Sequence, residues 1–203
     1  MKTSITRIGI FGGTFNPPHL GHLIVAEEVR QQCSLHKIVF MPSARPPHKV
    51  HSPLIDSQHR FIMTQLAVRD NPNFEISDME MKRHGKSYTI DTLKEFRNTY
   101  GSHADIFFIM GGDSIFEIDT WKKPEELLGL CHVIVTTRPG FDLTRVNDRF
   151  GDRIIFVDVL NIDISSTDIR RRVREGRSIL YLVPKGVEEY IRDEKLYLTE
   201  NVT

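Results

Sequence analysis

The chain is poor in cysteine and tryptophan and carries no excess of either charge. Cys33 and Cys131 are its only cysteines, far apart and in no CxxC pair. That excludes a zinc ribbon, a thioredoxin-type redox pair and a disulfide framework. Lysine and arginine total 27, as do aspartate and glutamate, so the formal net charge is zero. A protein held to nucleic acid by counterion release is usually basic, so nucleic acid is not the expected partner. No run of about 18 apolar residues occurs, which argues against a membrane-spanning helix. The N-terminal segment lacks a signal-type cleavage region. A reduced, cytoplasmic, soluble protein is the expectation, and a homo-oligomer stays open. With 39% hydrophobic residues among 203, a core can form, and one domain over residues 1–203 is expected.

What is present is a regular alternation of apolar runs and helical patterns. Ile5–Phe11, Lys37–Met41, Phe74–Ser77, Asp105–Met110, His132–Thr136 and Ile154–Val159 read as strands. Helices are expected at Leu20–Gln32, Gln58–Arg69, Thr89–Tyr100, Glu125–Leu130, Ser166–Glu175 and from Pro184 to Asp193. The inward faces should carry Leu20, Leu23, Ile24 and Val29 in the first helix. In the second they should carry Phe61, Ile62, Leu66 and Ala67. Ser87 or Thr89 should cap the third, with Gly101 as its stop. This pattern predicts an α/β fold: a Rossmann-like, doubly wound parallel sheet with helices on both faces. A helical C-terminal part should occupy about 166–203. In such sheets ligands sit beyond the carboxyl ends of the strands, so the loops that follow strands are the place to look.

The loop Phe11–His22 joins the first strand to the first helix. It is neither GxGxxG nor GxxxxGK[ST]. Gly12 and Gly13 should let the backbone approach a ligand and take dihedrals closed to other residues. Pro17 and Pro18 stiffen the approach to the helix. His19 and His22 share a face in a helical first turn. Free N–H groups and the dipole there favour an anion, to which two imidazoles add donors. Two histidines so spaced also suit a metal, but zinc lacks a third ligand at recognisable spacing. Near the other end of the chain, Ser165, Ser166 and Thr167 precede a helix bearing Arg170. Hydroxyls there cap the helix or meet phosphate, and Arg170 can offer a fork of donors. Arg171, Arg172, Arg174 and Arg177 read as a solvated basic face.

Gly13–His22 resembles the (T/H)xGH signature region of the nucleotidyltransferase superfamily. Its detailed form, GGTFNPPHLGH, is similar to that of the bacterial nicotinate-nucleotide adenylyltransferases. Ile164–Arg170 resembles the superfamily's ISSTxIR. The similarity continues through Pro46-Pro47-His48-Lys49, through Ser87–Leu93, and through Gly111-Gly112-Asp113 followed by Trp121. Five motifs in the family's order span Gly12 to Arg170.

The resemblance implies a transfer of AMP from ATP to nicotinate mononucleotide, giving deamido-NAD and pyrophosphate, with Mg²⁺ accompanying ATP. It implies that His19 and His22 are catalytic and hold ATP phosphates. Gly12, Gly13, Thr14, Phe15, Gly111, Asp113, Ser165, Ser166, Thr167 and Arg170 would complete the ATP site. His48 and Lys49 become candidates for the mononucleotide phosphate, and Trp121 for stacking on the pyridine ring. Its carboxylate would be read near Tyr88 and Thr89, with Arg138 a further candidate. Each has a plainer reading. Tyr88–Thr89 is a packed helix start, Asp113 an N-cap of Ser114–Ile118, and Trp121 a core or lid residue. Nicotinamide mononucleotide, pantetheine phosphate or FMN as acceptor, and a non-catalytic nucleotide sensor or RNA-binding module, are the alternatives.

Overall fold

In the computed structural model, which describes residues 5–46, 54–137 and 153–198, the six apolar runs become one parallel sheet. Its strands are β1 (Thr6–Gly13), β2 (Lys37–Pro42), β3 (Phe74–Ile76), β4 (Ala104–Gly111), β5 (His132–Thr137) and β6 (Ile154–Asp158). The order is β3-β2-β1-β4-β5-β6, all parallel. The chain therefore reverses direction across the sheet between β1 and β4. At that switch point the crossovers leave in opposite directions and open a crevice at the carboxyl ends.

Side-chain alternation along each strand divides the core in two. Ile8, Ile10, Ile106, Phe108, Val133 and Val135 face one layer. That layer comprises α4 (Thr89–Tyr100) and α6 (Pro124–Leu130), through Ile90, Leu93, Phe96, Leu127 and Leu128. Ile38, Phe40, Phe107, Ile109 and Ile134 face the other side, where α1 (Leu20–Gln32) adds Ala26 and Val29. Burying one such side chain fully stabilises by about 1.5–3 kcal/mol. A third cluster joins α2 (Ser57–Val68) to α7 (Ser166–Arg174) and α8 (Lys185–Asp193). Met63, Ile169, Val187 and Ile191 lie at its centre.

Several expectations need correction. The inward face of α2 is Arg60, Met63, Thr64, Ala67 and Val68, whereas Phe61, Ile62 and Leu66 are only partly buried. The helix is rotated so that a buried arginine can reach main-chain carbonyls, as described below. Along α1 the buried residues are Gly21, Ala26 and Val29, while Leu23 and Ile24 stay partly exposed. A short helix α3 (Met79–Lys82) occupies a stretch with no clear period in the sequence. The cap of α4 is Tyr88, with no side-chain bond, and Gly101 ends that helix at φ 59°. Ser87 is used elsewhere: it exchanges hydrogen bonds with Arg45. Asp113 lies inside a single turn, α5 (Gly112–Ile115), whose N-cap is Gly111. No helix of the described residues is long and apolar enough to cross a membrane.

Candidate active site

The crevice at the switch point holds a cavity of about 260 Å³. Gly12, Gly13 and Thr14 at the end of β1 form one wall, and Phe108, Met110 and Gly111 of β4 form another. The start of α4 supplies Tyr88 and Thr89, and the segment after α5 supplies Trp121. Trp121 meets Phe108 edge to face, at 5.9 Å between centroids and 82° between planes. That contact helps to orient the indole. Tyr88, Thr89 and Trp121, expected around a pyridine ring, are thus brought together although they lie on two separate segments. His48, Lys49 and Arg138 lie outside the described residues, as does the side chain of Asp113.

The same loop that lines the cavity carries the two histidines. Gly12 and Gly13 do not adopt left-handed dihedrals; Phe15 does, at φ 48°. The need for glycine at position 13 is one of space. A Cβ there would lie 2.7 Å from the ring of Phe15, which is itself buried. The Phe15 ring in turn packs edge-on against His22 at 5.1 Å. Asn16 and Pro17 are joined by a cis peptide bond.

His19 is the N-cap of α1 and His22 its third residue. The backbone N–H of His19 donates to Nδ1 of His22 at 3.1 Å. Nδ1 therefore acts as acceptor, and the proton of the neutral ring sits on Nε2. The two rings stack at 3.7 Å. Burial pushes the His19 imidazole down to about 4 from 6.5, because a charged ring there would lose its hydration. Its Nδ1 is buried without a hydrogen-bond partner. The helix start is less open than expected. The N–H of Leu20 donates to the Leu182 carbonyl at 2.9 Å, and that of His22 to the His19 carbonyl at 3.0 Å. Much of the capacity to hold an anion at this end therefore falls to the imidazoles.

The second motif docks onto the first loop. Ser166 Oγ donates to the Pro17 carbonyl at 2.7 Å, and Arg170 to the Asn16 carbonyl at 2.8 Å. Tyr197 adds a buried bond to Asn16 Oδ1 at 2.9 Å. Ser165 caps α7 by accepting the Asp168 N–H, and Thr167 Oγ1 accepts from Arg170. Arg171 and Arg172 pair with Asp168, and Arg177 with Glu175, as a solvated face should. The two sequence motifs therefore form one body at the amino end of α1, and Arg170 is half drawn into it.

Three residues of the site were not anticipated. Lys122 lines the cavity, holds Asp91 at 2.9 Å and lies 4.5 Å from the centre of the Tyr88 ring. Glu80 lines it too; Oε1 accepts from Thr92 at 2.7 Å and Oε2 is buried without a partner. Arg60 is 1% exposed and donates to four carbonyls. The spacing of Arg60, Met63, Thr64 and Ala67 is a helical stripe, which counting only apolar residues overlooks. Among the described residues there is no group of three or more His, Cys, Asp or Glu arranged to hold a metal.

Residues 10–172 match the family described as cytidylyltransferase-like. A protein described as a probable nicotinate-nucleotide adenylyltransferase, from Thermoanaerobacter sp. (strain X514), is 47% identical over 198 residues and 94% of each chain. Another so described, from Moorella thermoacetica, is 48% identical over 94% of this chain and 91% of its own. A solved structure of Plasmodium falciparum nicotinic acid mononucleotide adenylyltransferase complexed with NaAD has a TM-score of 0.76. It covers 95% of this chain and 97% of that one at 19% identity, a likeness of fold. A family match over most of the chain and relatives of this identity lead to one assignment: the chain belongs to the cytidylyltransferase-like family, among the nicotinate-nucleotide adenylyltransferases.

Proposed function

We infer that the protein transfers AMP from ATP to nicotinate mononucleotide, releasing pyrophosphate and forming deamido-NAD. The observation that carries this reading is the continuity of one loop. Gly12–Thr14 wall the cavity that holds Tyr88 and Trp121, and the same loop ends in His19 and His22. An acceptor ring in the cavity and a polyphosphate at the histidines would meet at Thr14.

The acceptor's phosphate oxygen attacks the α-phosphorus of ATP, one P–O bond forms, and the bond to pyrophosphate breaks. The nucleophile is already an anion, so no general base is assigned. The protein's work is alignment and stabilisation of the spreading charge. His22 offers an Nε2 proton held in place by the His19 backbone, and His19 offers a neutral ring that phosphate would favour protonating. Arg170, Ser166 and Thr167 stand at the same corner and extend the phosphate contacts. Mg²⁺ would be held mainly by the phosphates of ATP and by water, where it would neutralise charge on the polyphosphate. At the start of α4 the N–H groups of Tyr88, Asp91 and Thr92 are used within the protein. Those of Thr89 and Ile90 are the donors we assign to the pyridine carboxylate. His48, Lys49 and Arg138 are proposed for the acceptor's anionic groups, and Asp113 for a ribose hydroxyl.

Pyrophosphate release from ATP, measured with nicotinate mononucleotide and with its amide in parallel, tests the reading. Release that requires the acid acceptor and is slower with the amide is expected. Faster turnover of the amide, or no acceptor dependence, would overturn it.

A further inference from the structure

Arg60 is the largest fully buried side chain among the described residues, yet its four hydrogen bonds all go to main-chain carbonyls. Nη1 donates to the carbonyls of Thr14 at 2.8 Å and Ser43 at 2.6 Å. Nη2 donates to Ala44 at 3.0 Å and Nε to Ile55 at 3.3 Å. These carbonyls belong to two loops that leave neighbouring strands. Thr14 follows β1; Ser43 and Ala44 follow β2. Thr14 and Ser43 both line the cavity. Burial works against the charge on Arg60, and the negative fields of Asp56 and Glu80 work for it. A cation this deeply placed, with carbonyl dipoles as its partners, is costly unless the fork geometry is used.

We propose that Arg60 is a positioning residue for the transfer: it fixes the loop after β1 against the loop after β2, and so sets the approach of acceptor phosphate to ATP. This rests on the function inferred above. The loop after β2 is held in three ways. Ser43 N–H donates to the Gly13 carbonyl at 2.8 Å, Arg45 exchanges two bonds with Ser87, and Arg60 takes the carbonyls of Ser43 and Ala44. Arg60 is the group that bonds both loops through side-chain donors. A planar guanidinium can reach Thr14, Ser43 and Ala44 at once, and a lysine ammonium cannot match that fork. In-line attack tolerates little displacement: about 1 Å is worth on the order of a hundredfold in rate.

The test compares wild type with Arg60→Lys and Ser87→Ala in steady-state kinetics, with folded fraction measured by circular dichroism. Arg60→Lys should lower kcat by about 10- to 100-fold, with both KM values within about threefold and ATP binding by calorimetry little changed. Millimolar guanidinium should restore part of kcat in Arg60→Ala. Ser87→Ala removes one of the two bonds to Arg45, loosens the same loop from its other side and should show the same split more weakly. A soluble Arg60→Lys with wild-type kcat overturns the proposal, as does a loss confined to KM. Where Arg60→Lys does not fold, wild-type kcat in Ser87→Ala overturns it. Wild type inactive toward nicotinate mononucleotide would instead defeat the functional reading itself.

Discussion

The imidazoles of His19 and His22 lie 3.7 Å apart, tilted by 30°, while Nδ1 of His22 accepts the backbone N–H of His19. The first residue of the pair thus orients the second. With Nδ1 engaged, His22 presents its proton at Nε2, the atom suited to a phosphate oxygen. Replacing His22 by alanine is expected to reduce kcat by about 10²–10³, the scale for losing one charge-stabilising donor. Turnover close to wild type would remove His22 from the chemistry.

Gly21 is the residue that lets this pair form. A Cβ there would stand 3.1 Å from Nδ1 of His19 and 3.2 Å from its Cε1. Alanine is favoured over glycine inside a helix by about 1 kcal/mol. Gly21→Ala should therefore hold or raise Tm while it pushes the His19 ring aside and lowers kcat roughly tenfold or more. A variant that is both more stable and fully active would show that the ring position is not critical.

The buried His19 also makes stability depend on pH. Its folded value is about 4, below the 6.5 of an unfolded chain. Above pH 6.5 both states are neutral and nothing is lost. As pH falls from 6.5 to 4 the unfolded chain takes up a proton that the folded protein refuses, so stability declines. The loss approaches about 3 kcal/mol and levels off below pH 4. Urea unfolding of wild type and His19→Asn across this range is the measurement. The asparagine variant, still able to cap α1, should show the shallower dependence. Saturating ATP should also flatten the wild-type curve, because phosphate favours the imidazolium.

Trp121 meets Phe108 edge to face and lines the cavity. Trp121→Ala should raise KM for the mononucleotide well above any change in KM for ATP. Equal effects on both substrates would argue that the indole only supports the fold.

Much of the site was legible because its chemistry is local in the chain. GGTFNPPHLGH carries its own turn, stiffening and helix start, and ISSTDIR carries its own cap, so both could be placed by reading neighbours. The strand spans were within about one or two residues for a related reason: buried parallel strands are short apolar runs with clear ends. The inward face of α2 was misread for the opposite reason. Arg60 looks like a surface residue in sequence, and its partners Thr14, Ser43 and Ala44 lie on two loops that only folding brings to it. Nothing near Glu80 in sequence points to the cavity, and Lys122, although next to Trp121, shows its role only through Asp91 and Tyr88, which folding brings to it. Of the two roles expected of Gly12 and Gly13, the special dihedrals are not used, and what the fold demands there is space. That distinction needs the position of the Phe15 and Phe108 rings.

The order of strands and helices, the family and the position of the loop that carries the two histidines are properties of the sequence alone. They depend on contacts between residues a few positions apart, whose periodicity and motifs survive in a linear reading. The docking of Ser166 and Arg170 onto Pro17 and Asn16, the depressed His19, and the assembly of Trp121 with Tyr88 were decided by the tertiary structure. Each depends on how deeply a group is buried and on which distant carbonyl or ring it meets, and those quantities exist only once the sheet has brought the loop ends together.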